Sequence, residues 1–494
     1  MTTSKNWMAE LAAHYETIKR RYPNDQLMIL FDIDGTILDM RYMVWRLLKT
    51  YDRRHGTGFF ATLSVDDITV HEERVKPLLD DLQIATADQK DILTWYQAHA
   101  WSAEAMLEAH RPFSTVLEVI RWFQLQPNTT VGLNTGRPES IREETRRCLN
   151  KLGHEYKVQF TDDLLVMRPD HWVADVPLAK VAGVKYFQDK GYRVFAFVDN
   201  EPDNLELIAD IDPNDEILLL HADTIFNSKR TQLPSRAIGG KVYDLKSLIS
   251  EEALPRHIQF VWHGIDTMSR LNHFLLSDVH WGELGVQLDV AGHNLIIQSD
   301  ALSRPPAQSP LYLEDVLTHL QGRSKGIKLD LQVGHQEALD RVLGLVHRLG
   351  FQHHHLWFSG HVETLQENGF KLISRAFPGA VVQCPVDFLA PLVCTSPAKA
   401  KEILDMFVTW GVNRFAINWH TANLRPFFDQ MDRWGFEINI YNVPNLEAFL
   451  QAVLLMPRAV TSDFDFPEWH YVTPETVGNF GDNHELFVQE VSLV

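Results

Sequence analysis

The chain has 494 residues, 45% of them hydrophobic and 22% charged, the composition of a folded protein with two or three domains. Its net charge of −19 argues against a general nucleic-acid surface or a face for anionic lipid. Three cysteines, Cys148, Cys384 and Cys394, have no metal-ligand spacing and cannot build a disulfide framework.

Residues 1–26 are polar, follow a helical pattern and lack the apolar centre of a signal peptide. No run of about 18 apolar residues predicts a membrane span, so the expected compartment is the cytoplasm; the sequence leaves the oligomeric state open. Strands are predicted at 27–33, 130–134, 156–161, 194–198 and 216–220, with helical patterns between them. This alternation implies an α/β domain over residues 1–250, with a mostly parallel sheet covered on both faces. Residues 38–112 interrupt it with helical patterns at 41–51, 70–82 and 88–109, which reads as a helical cap over the strand ends. A polar stretch at 250–256 then leads into a second region. Strands are predicted there at 258–262, 286–290, 294–298, 326–331, 355–358, 380–384, 414–418, 437–441 and 459–462. About eight β/α units within residues 256–494 suit a closed (β/α)8 barrel better than another open sheet.

The densest chemistry lies at the ends of the first-half strands. The run Leu27-Met28-Ile29-Leu30-Phe31 leads to Asp32-Ile33-Asp34-Gly35-Thr36, placing two carboxylates in one pocket. That arrangement is costly unless a cation or phosphate chemistry uses it; the alternative is an incidental turn or a calcium loop. Thr135 and Gly136 end the run Val131-Gly132-Leu133-Asn134 with a hydroxyl and an anion-binding turn. A third buried run, Val194–Val198, ends in Asp199 and, four residues on, Asp203. Lys180 stands near the start of the preceding helix, with Lys185 a second candidate in mid-helix. Arg137 has two readings: pairing with a substrate phosphate or the cap, or tying down its own Gly-Arg-Pro turn.

In order and spacing, Asp32-x-Asp34-Gly-Thr, Thr135, Lys180 and Asp199-xxx-Asp203 resemble the signatures of the haloacid dehalogenase-like (HAD) hydrolase superfamily, over roughly residues 20–250. The resemblance implies a capped Rossmann-like domain that hydrolyses a small phosphomonoester with Mg²⁺. Asp32, Asp199 and the Asp34 carbonyl would hold the metal, with Asp203 a direct or water-mediated ligand. Asp32 would attack phosphorus and Asp34 would act as acid and then base. Thr135 and Lys180 would stabilise the phosphoryl oxygens, beside the turns at Gly35-Thr36 and Gly136. The second aspartate, Asp34, favours phosphoryl transfer over carbon–halogen cleavage within that superfamily.

In the second half, Val261-Trp262-His263-Gly264 presents a histidine at a strand end. With Asp289, Asp300 and the run Lys325-Gly326-Ile327-Lys328-Leu329-Asp330, it resembles glycerophosphodiester phosphodiesterase barrels and the related menorin family, over roughly residues 256–475. The resemblance implies a barrel site at His263, Asp289, Asp300 and Asp330. Gln287 stands where that pattern has a glutamate and Ser299 where it has a second histidine. The expectation is therefore a barrel that binds a phosphorylated ligand or a partner; cleavage of a phosphodiester, feeding the first domain, is the alternative. The triplet His353-His354-His355 reads as a polar segment entering a strand, because consecutive side chains of an extended chain point to opposite faces.

Overall fold

The computed structural model describes residues 6–171, 176–223, 233–298, 311–464 and 466. It divides into two compact units, Met1–Ser250 and Glu251–Val494.

The first unit is built on six parallel strands, β1 (Gln26–Phe31), β2 (Thr129–Pro138), β3 (Leu165–Arg168), β4 (Tyr192–Asp199), β5 (Leu218–Ala222) and β6 (Ile238–Gly240). Their order is β3-β2-β1-β4-β5-β6. The chain winds outward from β1 through β2 and β3, then crosses back to add β4 on the other side. Loops leaving β1 and β4 therefore diverge, and a crevice opens at the carboxyl ends of those two strands. The centre of the sheet is apolar because helices cover both of its faces. Met28, Leu30, Val184, Phe187, Val194 and Phe197 pack together there, each at most 2% exposed. Within residues 38–112 the chain forms four α-helices, Arg41–His55, Lys76–Asp81, Thr86–His99 and Ala103–Ala109, where three helical patterns were expected, and a fifth, Val116–Leu125, precedes β2.

Two strand expectations fail in this unit. Residues 156–161 form no strand, and the chain instead enters the sheet at Leu165–Arg168. Val158 and Phe160 are buried, so their apolar character reflects packing in an irregular segment whose backbone is tied down by the Asn150 side chain. The short strand Ile238–Gly240 carries two glycines and gave no apolar run to read.

The second unit is a closed barrel of eight parallel strands, β7 (Gln259–Trp262), β8 (Trp281–Leu288), β11 (Gly326–Leu331), β12 (Leu356–Ser359), β13 (Val381–Pro385), β14 (Arg414–Asn418), β15 (Ile438–Val443) and β16 (Ala459–Ser462), β9 and β10 lying outside it. Pairing of β16 with β7 and of β7 with β8 closes the ring. The short strands β9 (Leu295–Ile297) and β10 (Leu311–Tyr312) extend β8 as an antiparallel flap. Strand β8 begins at Trp281, five residues before the predicted 286; Gly282, Glu283 and Gly285 interrupt the apolar pattern there, Glu283 and Gly285 on the cavity face and Gly282 on the face packed against Ile265 and Phe274.

Replacing Leu30, fully buried on the central strand β1, with alanine is expected to lower stability by about 2–5 kcal/mol. Urea unfolding followed by far-UV circular dichroism checks this; a loss under 1 kcal/mol would contradict the assigned packing.

Candidate active site

Sheet geometry carries Asp32 and Asp34 to the end of β1 and Asp199 to the end of β4. The backbone N–H of Asp32 bonds the Val198 carbonyl at 2.9 Å, so the two strand ends stay locked together as the chain leaves the sheet. Gly35 turns the chain with φ of 76°, and a Cβ there would come within 2.4 Å of the Asn200 amide. The turn after β1 can therefore lie on the turn after β4 only with glycine at this position.

Lys180 joins the two strand ends. It lies in the helix Val176–Asp189, is 1% exposed, and points its ammonium at three acceptors. These are Asp32 Oδ1, the Asn134 carbonyl at 2.5 Å and Asp199 Oδ2 at 2.9 Å. Asp199 Oδ1 accepts from the Glu201 N–H and the Asn204 amide, both at 2.9 Å. The helix comes this close because Gly183 has no side chain: a Cβ there would meet Asn134 Oδ1 at 2.4 Å, while the Asn134 amide bonds the Lys180 carbonyl at 2.8 Å. Lys185, the other candidate, is exposed.

Arg137 settles between its two sequence readings. Its guanidinium grips Asp34 through two bonds, Nε to Oδ2 at 2.7 Å and Nη2 to Oδ1 at 2.6 Å, and Nη1 reaches Thr145 at 3.1 Å. The Trp101 ring lies against it, 5.2 Å from centroid to guanidinium carbon. Its own loop is tied as well, since the Arg137 N–H bonds the Thr135 hydroxyl at 3.2 Å. Gly136 is fixed through its carbonyl by Arg168 at 2.9 Å. The Thr36 carbonyl accepts from Tyr243 at 2.9 Å, and the buried Thr36 hydroxyl has no hydrogen-bond partner among the described residues. Asp203 stands in the first turn of the helix Pro202–Asp210.

Three buried carboxylates thus face two buried cations. Burial pushes the Asp32 carboxyl up to about 7; Lys180 opposes the rise, and the Asp199 and Asp34 charges add to it. Burial works in the same direction on Asp34, yet the Arg137 charge and its two hydrogen bonds hold that carboxyl below the usual range. The local excess of one negative charge and the hard oxygen donors fit a divalent ion. Among the described residues no three His, Cys, Asp or Glu side chains form a metal-holding group, so such an ion would rely on two carboxylates and a backbone carbonyl.

In the barrel, a polar cavity at the strand ends is lined by His263, Glu283, Lys328, Asp330, His361 and Gln383, among others. Two of the predicted residues, His263 and Asp330, stand in it. Asp289 does not: it caps the exposed turn between β8 and β9, bonding the His293 N–H and the Asn294 side chain at 2.7 Å each. Asp300 lies outside the described residues, as does Ser299. The carboxylate missed in the sequence is Glu283, which pairs with Lys328 across β8 and β11 at 3.0 Å. Its signal was the Glu-Leu-Gly-Val alternation placing residues 283 and 285 on one face. His361, from the loop after β12, also lines this cavity and was not singled out from the sequence. Of the three cysteines, Cys148 and Cys384 are buried and Cys394 is exposed.

No protein-family model and no curated protein matches this chain. Solved structures similar to parts of it include a glycerophosphodiester phosphodiesterase from Agrobacterium tumefaciens, at 14% identity and a TM-score of 0.29, covering 42% of this chain and 95% of its own. An Oleispira antarctica phosphodiesterase, solved with its product sn-glycerol-3-phosphate, matches at 15% identity and a TM-score of 0.30, covering 43% and 94%. A HAD-superfamily hydrolase from Geobacter sulfurreducens matches at 12% identity and a TM-score of 0.28, covering 43% and 90%. Among the described residues no helix is long and apolar enough to cross a membrane.

His263 Nδ1 donates to the Asp463 carboxylate at 2.7 Å. Burial lowers the pKa of this imidazole, but the bond to Asp463 and the nearby Glu283 charge outweigh it, leaving the group raised. Changing Asp463 to Asn removes the largest opposing influence, so the His263 midpoint in an NMR titration should fall. An unchanged or higher midpoint would mean that the pair does not form in solution.

Proposed function

We propose that the first unit is a Mg²⁺-dependent phosphomonoesterase of the HAD type, with the helices between β1 and β2 as its cap. The observation that carries this reading is the gathering of Asp32 and Asp199 around Lys180 at one buried point, with Asp34, held by Arg137, close enough for its charge to act on Asp32. Asp32, Asp199 and the Asp34 carbonyl would hold the metal, with Asp203 close behind. When bound, Mg²⁺ supplies the positive charge that lets a phosphate dianion approach carboxylates.

Asp32 attacks phosphorus, forming an Oδ–P bond as the ester P–O bond breaks; water then hydrolyses the aspartyl-phosphate to restore the carboxylate. Lys180 and Thr135 face the charge spreading over the phosphoryl oxygens. Clasped by Arg137, Asp34 is ionised at neutral pH and so placed to accept a proton from the hydrolytic water. Donating one to the leaving oxygen requires that the clasp loosen first. Arg137 therefore serves as a positioning residue for Asp34.

A second reading concerns the barrel. His263, His361, Glu283 and Asp330 together offer two imidazoles and two carboxylates in one cavity, a set able to act on a phosphodiester. A cavity that only binds a phosphorylated ligand or partner remains the simpler use of the same groups.

Asp32→Asn is expected to abolish hydrolysis of p-nitrophenyl phosphate while the circular dichroism spectrum stays unchanged. EDTA should do the same to the wild type, and added Mg²⁺ should restore it; activity surviving either treatment would refute the nucleophile or the metal. For the barrel, His263→Ala and His361→Ala should each lower bis-p-nitrophenyl phosphate cleavage by about 10²-fold or more if the cavity is catalytic. Diester cleavage unaffected by both changes leaves the barrel a binding module.

A further inference from the structure

The helices between β1 and β2 enclose a space that the phosphoryl chemistry does not use. Its volume is about 320 Å³, and its walls include Met43, Glu72, Val75, Leu93, Tyr96 and Trp101. Two observations join it to the site. Trp101, on its wall, lies against the Arg137 guanidinium that grips Asp34. Its neighbour segment reaches the other strand end, with His71 Nε2 3.5 Å from Glu201, two residues past Asp199.

The chemistry of the wall is selective. Apolar side chains and two aromatic rings line it beside two carboxylates, the exposed Glu73 and the buried Glu72, which is 7% exposed. Its side-chain neighbour is His71, at 3.4 Å, and its carbonyl accepts from the Tyr96 hydroxyl at 3.0 Å. A buried carboxylate in apolar surroundings is costly without a cation, and burial, eased by His71 and aggravated by the Asp34 charge, pushes this one up to about 7. An anionic group entering the cavity would meet Glu72 and Glu73 as like charges, whereas a plain alkyl group would gain only apolar contact. An ammonium gains both the carboxylate and the ring faces.

We propose that this cavity receives the alcohol portion of the substrate, and that this alcohol carries a primary or quaternary ammonium group. The assignment rests on the phosphomonoesterase reading above and adds its substrate class. Aromatic rings beside a carboxylate discriminate by charge, so the discrimination shows in the ratio of kcat/KM values between esters of similar size.

The test uses the full-length protein with Mg²⁺ and compares phosphocholine and O-phosphoethanolamine with n-propyl phosphate. The ammonium esters should be favoured roughly tenfold or more in kcat/KM. Glu72→Gln should bring the ratio toward one, Glu72→Asp should keep part of the preference, and Trp101→Leu should reduce it through a separate wall residue. Equal turnover of charged and neutral esters by the wild type overturns this assignment while the phosphatase reading stands. If no ester is hydrolysed in an Asp32-dependent way, p-nitrophenyl phosphate included, both fall together.

Discussion

The first unit depends on a single buried ammonium. Lys180 donates to Asp32 and to the Asn134 carbonyl and forms an ion pair with Asp199 at 2.9 Å, and so ties the ends of β1, β2 and β4 into one node. Charges buried this deeply are unfavourable unless each is paired, and removing one partner leaves another stranded. The surrounding sequence is shaped by that demand. Gly183 lets the lysine's helix approach, Asn134 bonds that helix's backbone, and Gly35 lets the two acidic turns lie against each other. None of these residues needs to touch a substrate for its identity to be constrained.

Lysine alone does not balance the node. Arg137 takes Asp34 out of the local excess through a planar, two-bond grip, a task that fits guanidinium geometry better than an ammonium. What remains is Asp32, whose carboxyl burial pushes upward, Lys180 opposing the rise and the neighbouring Asp199 and Asp34 charges adding to it. On the proposed reading a divalent ion would relieve this, so the feature that looks unfavourable in the protein alone is the one a phosphate ester and its metal would use. Structural pairing and catalytic readiness are in this respect two aspects of one charge imbalance.

The acidic strand ends were legible in the sequence because an apolar run that stops at an aspartate is a local pattern. Lys180 was legible by its position before β4, although the choice against Lys185 needed the helix phase. The partner of Arg137 was not legible: Asp34 is 103 residues away, and only the pairing of β1 with β2 brings them together. The same holds for Glu283 and Lys328, which become neighbours through the β8–β11 register. Glu283 was lost for a further reason, since glycines on its strand hid the first five residues of β8. Asp289 misled because it follows an alternating strand, yet the chain has already turned there and the side chain caps the turn. Residues 156–161 misled by being apolar without being extended.

Both units place a buried lysine against carboxylates at the ends of parallel strands, but the consequences differ. Lys180 holds two carboxylates and leaves the cluster short of positive charge. Lys328 pairs with Glu283 on the adjacent strand and rests over the Trp357 ring at 5.3 Å, so its charge is already partnered. The barrel's titratable capacity resides instead in His263, with Asp463, and in Asp330, whose carboxyl burial and the Glu283 charge push upward. Groups of that kind move protons without a strong demand for a metal. The strand ends of the first unit thus gather carboxylates around a buried lysine, whereas those of the barrel gather imidazoles and carboxylates with shifted pKa values, and the two sites call for different reagents in their tests.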